Sequence, residues 1–172
     1  MAAAAAKIAA AAGVLLGCAP AAFAIDGISV EAGRGDDHTS VLRIGVQERW
    51  RERLPFAAEW RLAGYWDFSA GIWDNRDEST ADIGVTPVFR IEQGPVYLEA
   101  AIGFHLVSTR ISAARVFSTA FQFGDHLAAG FRFGEGGRYD VGLRLQHLSN
   151  GHLKTPNPGI NFVLVRLQYS LE

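Results

Sequence analysis

The sequence predicts an all-β fold, an eight-stranded antiparallel transmembrane β-barrel of the outer membrane. Three observations predict it. Apolar and polar residues alternate with a period of two along eight segments, which gives each segment one greasy and one wet face. The segments run to about ten residues, the length a tilted strand needs to cross a bilayer. Short turns alternate with longer connections, as they do in outer-membrane barrels, with turns inside the envelope and loops outside.

The chain has 172 residues, enough for one domain, with a net charge of −2 and no concentration of Lys or Arg. That balance excludes a nucleic-acid binder, which needs a basic face. Residues 1–24 stand apart: they are Ala-rich, carry a single Lys7, and hold the apolar run Val14, Leu15 and Leu16. Ala22-Phe23-Ala24 fits the small-x-small pattern before signal-peptidase cleavage, so 1–24 is expected to be a signal peptide and 25–172 the barrel domain. A retained helical anchor is the alternative, but the stretch is short for a span. Leu15-Leu16-Gly17-Cys18 also resembles a lipoprotein processing site. Cleavage after Ala24 would remove Cys18, the one cysteine, and leave no disulfide to invoke. Beyond residue 25 no run of about 18 apolar residues follows, so no transmembrane helix is expected.

The strands follow in order. The first two cover about 27–35 and 40–50. In 56–66, Phe56, Ala58, Trp60, Leu62 and Trp66 oppose Glu59, Arg61 and Tyr65. In 82–92, Ile83, Val85, Phe89 and Ile91 oppose Asp82, Thr86, Arg90 and Glu92. In 96–105, Val96, Leu98, Ala100, Ile102 and Phe104 oppose Tyr97, Glu99, Ala101, Gly103 and His105. In 126–133, Leu127, Ala129, Phe131 and Phe133 oppose His126, Gly130 and Arg132. In 139–147, Val141, Leu143 and Leu145 oppose Asp140, Arg144 and Gln146. Last, Val163, Val165, Leu167, Tyr169 and Leu171 oppose Leu164, Arg166, Gln168 and Ser170. Gln93-Gly94-Pro95 and Glu135-Gly136-Gly137 read as tight turns and 51–55 as a short polar link. Longer connections are expected near 67–79, 106–117 and 150–160.

The polar face carries Glu31, Arg43, Glu59, Arg61, Arg90, Glu92, Glu99, Arg132, Arg144 and Arg166, acid and base mixed. A barrel in lipid turns these inward, and eight strands leave just enough room for side chains to fill the lumen, so a pore is not expected. A soluble, lipocalin-like barrel with an apolar interior would alternate equally well. It would not explain Trp50, Trp60, Trp66 and Tyr169 near strand ends, where membrane interfaces favour them. With both ends periplasmic, the seventh strand rises outward and ends near residue 149.

That end reads Gln146-His147-Leu148-Ser149-Asn150. His147 and Ser149 are in phase with Tyr139, Val141, Leu143 and Leu145, so they continue the lipid-facing stripe to the outer rim. Polar groups there are costly unless satisfied or used. A serine hydroxyl needs a base to act as a nucleophile, and imidazole is the usual one. Residues i and i+2 of a strand lie about 6–7 Å apart at Cα, a gap that leaning side chains can close. His-x-Ser spacing by itself favours the plainer reading, that the pair marks where the stripe enters the headgroups. If strands six and seven pair through the turn at 135–138, facing residues sum to about 272. Asp125 then sits beside His147, either as an acid for it or as an interfacial carboxylate. His38, His105, His126 and His152 fall in loops or lumen with no metal-cluster spacing. Gly33-Arg34-Gly35 is too slight for a phosphate loop.

His147-Leu148-Ser149-Asn150, followed by Lys154-Thr155-Pro156-Asn157-Pro158-Gly159-Ile160, resembles the C-terminal signature of the lipid A 3-O-deacylase (PagL) family. Length, signal peptide and strand pattern agree over the mature chain. The resemblance implies a serine esterase that hydrolyses the ester-linked acyl chain at the 3-position of lipid A, with no metal or organic cofactor. Its partners would be lipopolysaccharide and outer-membrane lipids, and a homodimer stays open. Ser149 matches the nucleophile and His147 its base. Asn150 matches the Asn after the serine, which would help hold the oxyanion, with the Gly151 N–H beside it. The best-known member has a Glu after the Pro-Asn-x-Gly-Ile stretch, where this chain has Asn161. An amide orients imidazole but cannot balance its charge; cysteine proteases do use a His–Asn pair. A non-catalytic barrel with an adhesive or envelope-structural role is the alternative, and a soluble carrier the third reading.

Overall fold

A strand with one apolar and one polar face must hide one of them, and here the polar face is hidden. In the computed structural model, which describes residues 24–75, 78–108, 111–112 and 115–171, the lumen holds the charges and the outer wall holds Leu, Ile, Val and Phe. The expected signal segment, with Cys18, lies outside the described residues except for Ala24.

Eight strands form the wall: β1 (Gly27–Gly35), β2 (Ser40–Arg49), β3 (Trp60–Asp74), β4 (Ser79–Gln93), β5 (Val96–Val107), β6 (Phe121–Phe133), β7 (Tyr139–Ser149) and β8 (Ile160–Ser170). Each pairs antiparallel with its sequence neighbour, and β1 pairs with β8 to close the barrel. Closure leaves no strand edge bare in lipid. The β6–β7 register sums to 272, with Tyr139 opposite Phe133 and His147 opposite Asp125, as the turn at 135–138 predicts.

Inside, Arg43 bridges Glu31 (3.0 Å) and Asp82 (2.9 Å). Arg144 bridges Glu31 (2.6 Å) and Asp67 (3.4 Å). Arg90 bridges Glu99 (2.6 Å) and Asp140 (2.8 Å). Above this layer the lumen is stopped by an apolar cluster of Val41, Trp73, Val107, Phe117, Leu148, Ile160, Phe162 and Leu164. The Trp73 and Phe162 ring centroids lie 5.1 Å apart. Outside, Ile102 is 67% and Leu127 64% exposed, an inversion that only a lipid solvent makes favourable. Aromatic clusters mark both ends of the apolar band. Trp50, Trp66 and Phe89 pack near the turns and Phe104, Phe121 and Phe123 near the loops.

Two expectations are corrected. The third strand does not run 56–66 with a loop at 67–79; it runs from Trp60 to Asp74, and the connection to β4 is residues 75–78. Asp67 and Ser69 look like loop chemistry, but they are buried lumen positions in phase with Tyr65, while Trp66 faces out. Second, Glu59 and Arg61 do not line the lumen: they are exposed, at the turn of a small hairpin that Leu54–Ala57 makes with the start of β3. Phe56 and Ala58 belong to that hairpin, so 51–55 is not a bare link. Arg132 is partly exposed at the lower mouth, 3.1 Å from Glu92.

Two substitutions test this arrangement. Leu143→Arg, mid-band on the outer wall, is expected to cost about 2–4 kcal/mol in urea unfolding from lipid vesicles; a water-facing site would show about 0.5 kcal/mol or less. Arg43→Met leaves Glu31 and Asp82 each short of a partner in the lumen and is expected to cost about 3–5 kcal/mol in the same assay.

Candidate active site

Strand register builds the site as rows across the outer wall. One row runs Ile102, Asp125, His147, Asn161 over β5 to β8. The row above it runs Phe104, Phe123, Ser149. Facing is set by alternation. Leu143 and Leu145 are half exposed, Leu148 and Asn150 are fully buried, and His147 and Ser149 between them share the outer face. Ser149 lies ten steps above Tyr139 on β7. At about 3.4 Å per step and a tilt near 40°, that is about 25 Å, the height of the apolar band of such barrels. The hydroxyl therefore stands a full band height from Tyr139.

The His147 ring is held from two sides. Its Nδ1–H donates to Asn161 Oδ1 at 2.8 Å. Gly159, at φ 63°, lies against it: a Cβ there would come within 2.6 Å of Cε1. Glycine is thus required twice at 159, for the left-handed backbone and for the space the ring occupies. Asn161 is held in turn. Its backbone N–H and its Nδ2–H both donate to Asp36 Oδ2, at 3.0 and 2.9 Å. Arg115 lies 3.3 Å from Asp36, pairs more closely with Asp37, and donates to the Gly159 carbonyl.

Of the residues expected at the site, His147, Ser149, Asn161 and Asp125 lie together on the outer wall. Asp125 sits beside His147 in register, but the imidazole Nδ1 is bonded to Asn161 and not to it. The Asn150 side chain turns the other way. Its Nδ2 donates to Ser118 Oγ and to the Lys154 carbonyl, both at 2.7 Å, and its backbone N–H donates to Asn157 Oδ1 at 3.0 Å. It locks the loop above β7 and has no free donor to offer across the wall. Gly151 follows at φ 62°, against the Phe123 ring. His105, bonded to Asp82 at 2.8 Å, and His126 are buried in the lumen. His38 and His152 are on loops.

Three residues of the site were not foreseen: Asp36, Arg115 and Gly159. Gly159 had a signal, a glycine inside the Pro-Asn-Pro-Gly-Ile stretch. Asp36 had none, being 125 residues from Asn161. Chemically, an imidazole held at Nδ1 keeps Nε2 free to take a proton from a hydroxyl above it. A groove of about 770 Å³ on the wall, lined by Ile102, Leu127, Leu145 and Val163 beside Asp125, His147 and Asn161, offers apolar walls next to that imidazole.

The chain is similar to known proteins along most of its length. The family model described as lipid A 3-O-deacylase (PagL) matches residues 41–170. The lipid A deacylase PagL of Bordetella bronchiseptica is 33% identical over 156 residues, covering 83% of this chain and 82% of that protein. Its namesake in Pseudomonas aeruginosa is 31% identical over 140 residues, covering 77% of this chain and 79% of that protein. A crystal structure of the outer membrane enzyme PagL superposes with a TM-score of 0.75 at 26% identity, covering 83% of this chain and 98% of that one.

Gly159→Ala is expected to push the imidazole off its seat. The measurable result is loss of the hydrogen-bonded His147 Nδ1–H resonance in NMR spectra, while the folded barrel keeps its heat-modifiable gel mobility.

Proposed function

The chain belongs to the lipid A 3-O-deacylase (PagL) family and is a β-barrel enzyme of the outer membrane, and from that premise we propose that it removes the ester-linked acyl chain at the 3-position of lipid A by a serine–histidine mechanism in the outer leaflet. The observation that carries this reading is the His147–Asn161 hydrogen bond on the lipid-facing wall, one row below a serine on the same face. Residues 1–24 act as the export signal.

The steps follow from these groups. The acyl chain lies along the apolar wall, so the substrate reaches Ser149 without leaving its leaflet. His147 Nε2 takes the proton of Ser149 Oγ as the oxygen attacks the ester carbonyl. The backbone N–H of Gly151 donates to the developing oxyanion; the Asn150 amide, committed to Ser118 and Lys154, does not. Asn161 fixes the imidazole tautomer with Nδ1 protonated. Collapse breaks the ester bond, and the imidazolium returns its proton to the departing sugar hydroxyl. Water, activated by His147, then attacks the acyl-serine ester; collapse frees the fatty acid and returns the proton to Ser149. No step calls for a metal or cofactor.

Mass spectrometry of lipid A from expressing cells tests the reading. Wild type is expected to remove one hydroxyacyl group, and Ser149→Ala to lower that rate by about 10³-fold or more. Asn161→Ala is expected to cost about 10- to 100-fold, and Asp125→Ala less than about threefold. A reversed order of those two would make Asp125 the partner of His147. Unchanged lipid A with folded wild-type barrel would favour the non-catalytic, adhesive or envelope-structural alternative.

A further inference from the structure

A His–Asn pair leaves a charge problem. When His147 takes the serine proton it becomes a cation at the edge of a hydrocarbon layer, where a charge is poorly solvated. Asn161 can hold the ring but has no charge to set against it. The nearest charge behind Asn161 is Asp36, in the β1–β2 loop. Its Oδ2 accepts from both the backbone N–H and the Nδ2–H of Asn161, at 3.0 and 2.9 Å. The chain of bonds runs His147 Nδ1–H to Asn161 Oδ1, then Asn161 Nδ2–H to Asp36 Oδ2. A carboxylate drawing on one end of an amide polarises it and makes the oxygen at the other end a stronger acceptor.

Among the described residues, the other charged groups facing this chain leave that charge in place. From the β5–β6 connection, Arg115 pairs closely with Asp37 and stands 3.3 Å from Asp36. Among the described residues, two carboxylates against one guanidinium leave a surplus of one negative charge. From β6, Asp125 lies in register with His147 without a bond to it. The Asp36 carboxylate is about one-third exposed.

We propose that Asp36 is a positioning residue of the reaction: acting through the Asn161 amide, it supplies the negative charge that stabilises the His147 imidazolium. Asn161 and Asp36 together then do what a single carboxylate at position 161 would do. The proposal rests on His147 being the base for Ser149. It differs from a merely structural role, in which Asp36 staples the β1–β2 loop to the start of β8.

The test is Asp36→Asn, which removes the charge and keeps the shape, in two backgrounds, on full-length protein in vesicles containing lipopolysaccharide. In wild type, kcat is expected to fall about tenfold, with KM within about twofold and the unfolding midpoint unchanged. In an Asn161→Glu background the imidazole already has a carboxylate, and Asp36 is a like charge beside it. There the same Asp36→Asn change is expected to raise kcat at least about twofold. A staple would produce the same loss in both backgrounds. Equal loss in both, loss in KM alone, or no loss in wild type overturns the proposal. Deacylation that survives Ser149→Ala overturns instead the reading beneath it, whatever Asp36 does.

Discussion

The ion-pair chain in the lumen is the interaction on which the rest depends. Asp82, Arg43, Glu31, Arg144 and Asp67 follow one another through the barrel, Arg166 joins at Asp67 (3.5 Å), and Arg144 reaches toward Glu99 (3.7 Å) and the Arg90 pair. Every strand but β6 contributes a member. Such pairs gain little net free energy, because desolvating the charges cancels most of their attraction. What they impose is register. A one-residue slip of any strand would carry its charge to the lipid face and its leucines into the network. With outside and inside both intolerant of the wrong residue, the wall has one arrangement open to it.

That rigidity is what makes rows of residues on the outer surface meaningful. Asp125, His147 and Asn161 come from three strands and stand side by side because the register does not drift. The apolar cluster around Trp73 and Phe162 backs the wall at the same height, so the site is built on a filled barrel end. The proposed reaction on a membrane-embedded ester gains from this layout. The barrel need not open, and the acyl chain need not cross water.

The loops complete what the wall begins. The β1–β2 loop supplies Asp36 and the β7–β8 loop supplies Gly159. Arg115, from the β5–β6 connection, contacts both. Asn150, immediately after the serine, turns inward and binds that same β5–β6 connection through Ser118. Adjacent residues on a strand point to opposite faces. One therefore serves the outer surface while the next anchors the loop above it.

Period-two alternation, strand length and the mixed charges of one face pointed to a barrel, and Trp and Tyr at the strand ends, which a water-soluble barrel leaves unexplained, pointed to lipid as its solvent. The same parity placed Ser149 and His147 on the outer wall, and the turn at 135–138 set Asp125 opposite His147. Parity also contained the true extent of β3, but its second half read as a loop until the closed lumen gave Asp67 its partners Arg144 and Arg166. The local motif held Gly159 without saying what it was for. Only the closed barrel could bring Asp36, at the far side of the sequence, to Asn161, because that contact exists through the β1–β8 seam. Likewise the direction of Asn150 was decided by the loop packed over it. Patterns local to a strand are legible in order along the chain; contacts made by closure and by loop packing have no sequence period to announce them.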